Sequence, residues 1–425
     1  MALDFAPTRA FSRASAILHL LLGGSLLAAG SLLAAEPLTF DELLERLPHH
    51  PAMEYHHAGE QQWGHLAAAT RGLPNPRLSL GLMGVPLEQP TALRNYPPAR
   101  NLRLEAMQTI PHPATRKTAQ ATALARQQLV TLQRSETHAE LQRRLVIALA
   151  EQQRIATALH LLEQQQRLLG ELEQGLIGEM EGGGIAYGRL EKLDIERGQI
   201  EEQRLRLRGE KLRWRQELWE LVGTEEAPPL PPLPLPLWSE EQPLALLGVQ
   251  LAEQRVQIAR QQLAEQQATL RPGYALEVSW ERGDSAAMGN NSGEFGLMAS
   301  VQLPLWAAQS QHPRIAAAEA EVSAALAQRQ QRLREGQRAY YSAQADYQTA
   351  EALLTALAQR QQRLHHLEAA NRRRYEAGDL GLEQVIAPAL DRLEVAQESA
   401  RQQLRHARAA ATASALLAPL PAEER

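Results

Sequence analysis

Five of the thirteen histidines in this 425-residue chain, His49, His50, His56, His57 and His65, fall within 17 positions. Imidazole clusters bind zinc or copper, so His49, His50, His56 and His57 are the candidate metal ligands. On a helix His50 and His57 stand two turns apart, as do His49 and His56, which is too far for one shared ion. Pro51 also makes the local path irregular, so solvated or transient surface imidazoles are the competing reading, and the pair His365-His366 is open to the same one. Cysteine is absent, which removes thiolate zinc sites, iron–sulfur clusters, disulfides, a thiol nucleophile and lipid attachment at an N-terminal Cys. There is no G-x-G-x-x-G after a strand, no Walker A loop, no H-E-x-x-H and no G-x-S-x-G. The glycine-rich GEMEGGGIAYG at 178–188 opens on a hairpin tip, not a phosphate cradle. No catalytic residue and no cofactor are expected, and the chain does not read as an enzyme.

Composition says what kind of frame holds these residues. A formal charge of -5 and a pI near 6.3 exclude a strongly basic nucleic-acid binder. With 44% hydrophobic but only 4% aromatic residues, the chain is ordered yet poor in the side chains that fill a compact core. Long stretches of Ala, Leu, Gln, Arg and Glu describe extended helices packed along their length.

The first 35 residues read as a secretory signal. Arg9 and Arg13 precede an apolar run containing LLGGSLLAAGSLLAA, with small residues from Ala28 to Ala35. No later segment offers ~18 uninterrupted apolar residues, so a mature protein that spans a membrane does so with strands.

The remainder reads as two copies of one unit, 36–226 and 244–418, joined by the proline-rich strap APPLPPLPLPLWSEEQP at 227–243 and followed by a tail at 419–425. Pro76 and Pro272, Pro111 and Pro304, and Gly184 and Gly378 lie 196, 193 and 194 residues apart. Each copy predicts a helix, two strands, a very long helix and a return helix. From Thr115 to about Gly175, Leu141, Leu145, Ile155, Leu159, Leu162, Leu169, Leu172 and Leu176 keep the spacing of a coiled-coil stripe. Glycines at 182–184 and at 378 mark the turns.

Four segments alternate apolar and polar: Leu78, Leu80, Leu82; Leu102, Leu104, Ala106; Tyr274, Leu276, Val278, Trp280; and Phe295, Leu297, Ala299, Val301, Leu303. Such segments are the weak signature of transmembrane barrel strands. A lipid-embedded sheet cannot keep open edges, and four strands are too few to close. The barrel must therefore be shared between subunits: two copies would make a narrow barrel and three would make twelve strands around a wider lumen, which the polar inward faces favour.

The passages MQTIPHPATRKTAQATALA and VQLPLWAAQSQHPRIAAAEAEV, and above all RRRYEAGDLGLEQVIAPALDRLEVAQ with its R-Y-x-x-G-x-x-x-L turn, resemble the TolC-type outer membrane efflux family. The resemblance covers essentially the whole mature chain. It implies an α+β membrane protein, a homotrimer with a shared 12-stranded β-barrel in outer membrane lipid and a long coiled-coil-like helical tunnel across the periplasm. It also implies two partners, a periplasmic adaptor of the membrane-fusion type and an inner-membrane RND-type or ABC pump. Relatives serve drug efflux, type I protein secretion or heavy-metal efflux, and the overall style is closest to the metal branch. By the resemblance, Arg374, Tyr375, Asp379, Glu383 and Gln384 belong to the gate at the tunnel tip, while Gly184, Tyr187, Gly378 and Leu382 lie at the turns facing the adaptor. Gln384 and Ala387 stand where some relatives carry aspartates. In a trimer Glu383 would form a ring of three carboxylates that favours cations; on its own it is an ordinary acid in the first turn of a helix. The alternative is a periplasmic adaptor or coiled-coil scaffold, which needs a lipoyl-like or sandwich domain.

Overall fold

The computed structural model describes residues 38–82, 101–181, 187–283 and 293–418. The signal segment 1–35, most of the two hairpin loops (83–100 and 284–292), the turn at 182–184 and the tail at 419–425 lie outside the described residues. The chain runs α1 (Phe40–Arg46), α2 (Pro51–Ala69), β1 (Arg77–Leu82), β2 (Asn101–Ile110), α3 (Pro113–Glu181), α4 (Tyr187–Val222), α5 (Leu247–Ala268), β3 (Gly273–Gly283), β4 (Gly293–Gln302), α6 (Gln311–Glu376) and α7 (Leu382–Leu416). The order α2–β1–β2–α3–α4 recurs as α5–β3–β4–α6–α7. With 69 and 66 residues, α3 and α6 are rods of about 100 Å at the α-helical rise. No described helix is long and apolar enough to cross a membrane.

The helix starts explain several histidines. Proline fits the first helical position because its missing N–H would have no partner there. Two such prolines follow a histidine whose Nδ1 accepts the next free backbone N–H: Ala52 N donates to His50, and Ala114 N to His112, each at 3.1 Å. Thr39 and Glu42 close α1 with a reciprocal capping box.

Ile155, Leu162, Leu169 and Leu176 of α3 recur every seven residues and are buried with Leu193, Ile200 and Leu207 of α4, at the same spacing. This is the seam of a two-helix coiled coil. Leu159 and Leu172 pack at its margin, while Leu141 and Leu145 belong to a second cluster with Leu43, Leu47 and Leu218.

An ionic node ties three long helices together. Glu151 of α3 is 7% exposed. It accepts from Arg154 Nε at 2.8 Å and from Arg408 Nη2 of α7 at 3.1 Å, and Arg154 also donates to Glu210 of α4 at 2.6 Å.

The strap follows an extended path with neither helix nor strand from 224 to 239, as its prolines require. Leu233 packs onto α3 and α7, and Leu235 and Trp238 pack onto α6 and α7. The Tyr340 hydroxyl accepts from Trp238 N at 3.1 Å and donates to Pro236 O at 2.9 Å, and Tyr340 is 1% exposed. Tyr340→Phe is expected to cost about 1–3 kcal/mol, because it leaves a strap N–H and a strap carbonyl unpaired. Denaturant unfolding followed by helical circular dichroism checks this, and an unchanged midpoint would show that water replaces both bonds.

His406 of α7 lies against the ring of Tyr347, with centroids 3.9 Å apart. Burial holds the pKa of His406, and that of His138, below the ordinary imidazole value. The unfolded chain then binds protons more readily, so this contribution is complete above a pH of about 6.5 and is lost as pH falls below it. The unfolding midpoint is expected to drop between neutral pH and about pH 5, and His406→Gln should flatten part of that slope.

The four strands form one antiparallel layer in the order β1-β2-β3-β4. Among the described residues they make a single layer, not the sandwich that an adaptor reading needs.

Candidate functional site

Two regions of the fold can act on other molecules: the sheet, and the helix ends around residues 371–384. Register decides the character of the sheet. Leu78, Ala106, Val278 and Leu297 lie in one cross-strand row, Leu80, Leu104, Trp280 and Phe295 in the next, and Ile110, Tyr274 and Val301 further along. Successive residues of a strand point to opposite faces, so these rows build one continuous apolar face. It is open to the surroundings, with Leu78 and Phe295 at 73% and Leu297 at 68% exposure. The other face carries Ser79, Arg103, Glu105, Glu277, Ser279, Glu281 and Ser300. There Arg103 Nη2 reaches Glu277 Oε1 at 3.3 Å, with Glu105 beside it at 3.7 Å. Strands β1 and β4 end the sheet, each with one edge unpaired by any other described strand.

At the far end of the long helices, α6 closes on Gly378, whose φ of +80° is the left-handed conformation glycine adopts without strain. Gly378 N donates to Tyr375 O and Asp379 N to Arg374 O, both at 2.9 Å. This double bond pattern is a Schellman cap and explains the R-Y-x-x-G spacing. Arg374 and Tyr375 contribute their carbonyls to it while their side chains stay exposed, Tyr375 at 44%.

The next three predicted residues are brought against three different helices. Leu382 fits the space above Gly175 of α3, which has no room for a Cβ beside the Leu382 side chain. Glu383 lies 3.8 Å from Arg189 of α4, both well exposed. Gln384 offers its carbonyl to Asn371 Nδ2 of α6 at 2.7 Å. Tyr187 opens α4, and Gly184 lies outside the described residues. Sequence reasoning missed Gly175, Arg189 and Asn371, for which no local pattern speaks. It also passed over Pro388, whose place inside a helical stretch was a visible signal.

The histidine candidates are not gathered. The Nδ1 of His50 caps α2, His56 Nε2 pairs with Thr137 Oγ1 at 2.8 Å, and His57 pairs with Gln61 at 3.0 Å. His49 is exposed. Among the described residues no group of three or more His, Asp or Glu could hold a metal ion.

No protein-family model and no curated protein matches the chain. Solved structures do. CusC, described for its folding and transmembrane channel formation, superposes with a TM-score of 0.71 at 15% identity, over 89% of this chain and 92% of that one. The outer-membrane channel OprN gives 0.68 at 17%, over 89% and 90%. The outer membrane protein VceC of Vibrio cholerae gives 0.65 at 18%, over 87% and 95%. These neighbours are channel and outer membrane proteins, not enzymes. With its two strand pairs in one sheet and its paired long helices, this chain has the fold of the TolC-type outer membrane channels.

Proposed function

We propose that the protein is the outer membrane channel of a tripartite efflux system. Three copies would close a 12-stranded barrel in the outer membrane and carry a helical tunnel through the periplasm to an adaptor and an inner-membrane pump. The observation that carries this reading is the sheet: one exposed apolar face, one polar face and two edges that no other described strand pairs, in the same layer. In hydrocarbon an unpaired edge costs several kcal/mol per backbone group, so the layer is incomplete as a single copy. Pairing β4 of one protomer with β1 of the next removes every edge and places Arg103, Glu105 and Glu277 on a wet lumen.

In this reading the two repeats, 36–226 and 244–418, each supply about one sixth of the wall of the trimer, with the strap at 227–243 bridging them, and the signal at 1–35 directs export. Arg374, Tyr375, Asp379, Glu383 and Gln384 border the narrow end, and the turns at Gly184 and Tyr187 and at Gly378 and Leu382 meet the adaptor. The channel does no bond chemistry. It supplies a path, and its selectivity lies in the width and charge of that path.

Fractionation on a sucrose gradient, light scattering in detergent and conductance in a planar lipid bilayer test the proposal together. A trimer in the outer membrane fraction that conducts ions is expected. A soluble monomer, or a trimer that never raises bilayer conductance, overturns it.

A further inference from the structure

Pro388 is buried seven residues into α7. Proline has no N–H, and its ring crowds the carbonyl four residues earlier. That carbonyl belongs to Gln384, and it is the one to which Asn371 donates from α6 at 2.7 Å. A side chain of the neighbouring helix thus supplies the bond that the proline withholds. The segment it holds, 382–387, also carries Leu382 against Gly175 of α3 and Glu383 beside Arg189 of α4. Three consecutive residues therefore hold the start of α7 to each of the other three long helices, and one turn later the helix lacks a backbone bond.

We propose that Asn371, Gln384 and Pro388 form a joint, in which the Asn371 amide is the closing bond and its release lets 382–387 swing away from α3 and α4 to widen the tip. The proposal rests on the channel reading for its consequence, conduction, but not for its mechanics. The three contacts are unequal. The Arg189–Glu383 pair is well exposed and is worth little, and the contact at Gly175 involves the mobile end of a leucine. The Asn371 bond is short and answers an acceptor that the helix itself leaves open. A bend at Pro388 has one backbone hydrogen bond fewer to give up than a bend at an unbroken turn of α7.

The test uses the full-length protein and exploits its lack of native cysteine. Arg189→Cys with Glu383→Cys reports closure of the segment by the rate of disulfide formation in detergent. Asn371→Asp, which cannot donate, is expected to slow that rate about fivefold, the equivalent of one net hydrogen bond. Pro388→Ala restores an N–H to Gln384 O, so in that background Asn371→Asp should have no effect. Equal slowing in both backgrounds, or no slowing in either, overturns the joint. Asn371→Ala serves if the aspartate variant does not fold. Single-channel conductance of the same variants is read separately, with openings expected about fivefold more frequent in Asn371→Asp. Non-additive cross-linking without any conductance in the parent protein would sink the channel reading and leave the joint standing. A conducting parent with additive cross-linking would do the reverse.

Discussion

Replacing Glu151 with alanine is expected to destabilise the helical wall by about 3 kcal/mol, toward the lower end for deleting one partner of a buried ion pair. Glu151 is the shared acceptor for Arg154 and Arg408, whose side chains are 17% and 49% exposed. Without it, Arg154 keeps Glu210, while Arg408 loses its bond across the α3–α7 contact. The greater exposure of Arg408 lets water recover part of its loss, which is why the upper end of the range does not apply. Glu151→Gln should fall between parent and alanine, because a neutral amide accepts one guanidinium bond and turns its own N–H groups toward the other. Denaturant unfolding in detergent, followed by helical circular dichroism, measures all three proteins. Equal midpoints for the parent and Glu151→Ala would mean that the node is solvated and contributes nothing.

The second large effect is expected in the sheet, where neighbouring positions should behave oppositely. Leu297 and Met298 are adjacent in β4 and face opposite sides. Both are exposed, at 68% and 52%, so burial within the chain does not distinguish them. If the Leu297 face meets lipid, Leu297→Arg should cost about 2–4 kcal/mol at mid-membrane depth. Met298→Arg, toward the polar face with Glu277 as its cross-strand neighbour, should be tolerated. Folding yield into lipid vesicles, scored by protease resistance, reads the difference. Equal yields for the two variants would contradict the sorting of the sheet into lipid and lumen faces.

Much of this architecture was legible because its signals are periodic and local. Alternation marked the four strands, and the observed register places the predicted apolar residues on one face without a slip. The turn at Gly378 followed from the need for a left-handed residue, and the long helix expected from Thr115 to about Gly175 is present as Pro113–Glu181. What escaped notice was contact between distant segments. Glu151 and Arg408 are 257 positions apart, and neither has a neighbour in sequence that marks it as half of a pair. For one of the clustered histidines the role is local: His50 next to Pro51 is the signature of a helix start, and an imidazole that accepts a backbone N–H has committed the lone pair a metal would need. The joint at Pro388 was half visible, since a proline inside a helix always leaves one carbonyl to account for. Which side chain answers it required the packing of α6 on α7.

The free edges of β1 and β4 also bear on the order of events in making the protein. Among the described residues, a chain that has completed its own sheet still presents two rows of backbone groups that no strand pairs, the usual invitation to unwanted strand pairing. In the proposed trimer its partner is another copy of itself, so insertion would be a collision-limited process whose rate rises steeply with the number of chains present. Dilute chains would linger in the aqueous compartment, where escort by other factors or degradation competes with assembly. Under the proposed function, expression level would set the yield of finished pores more than in proportion.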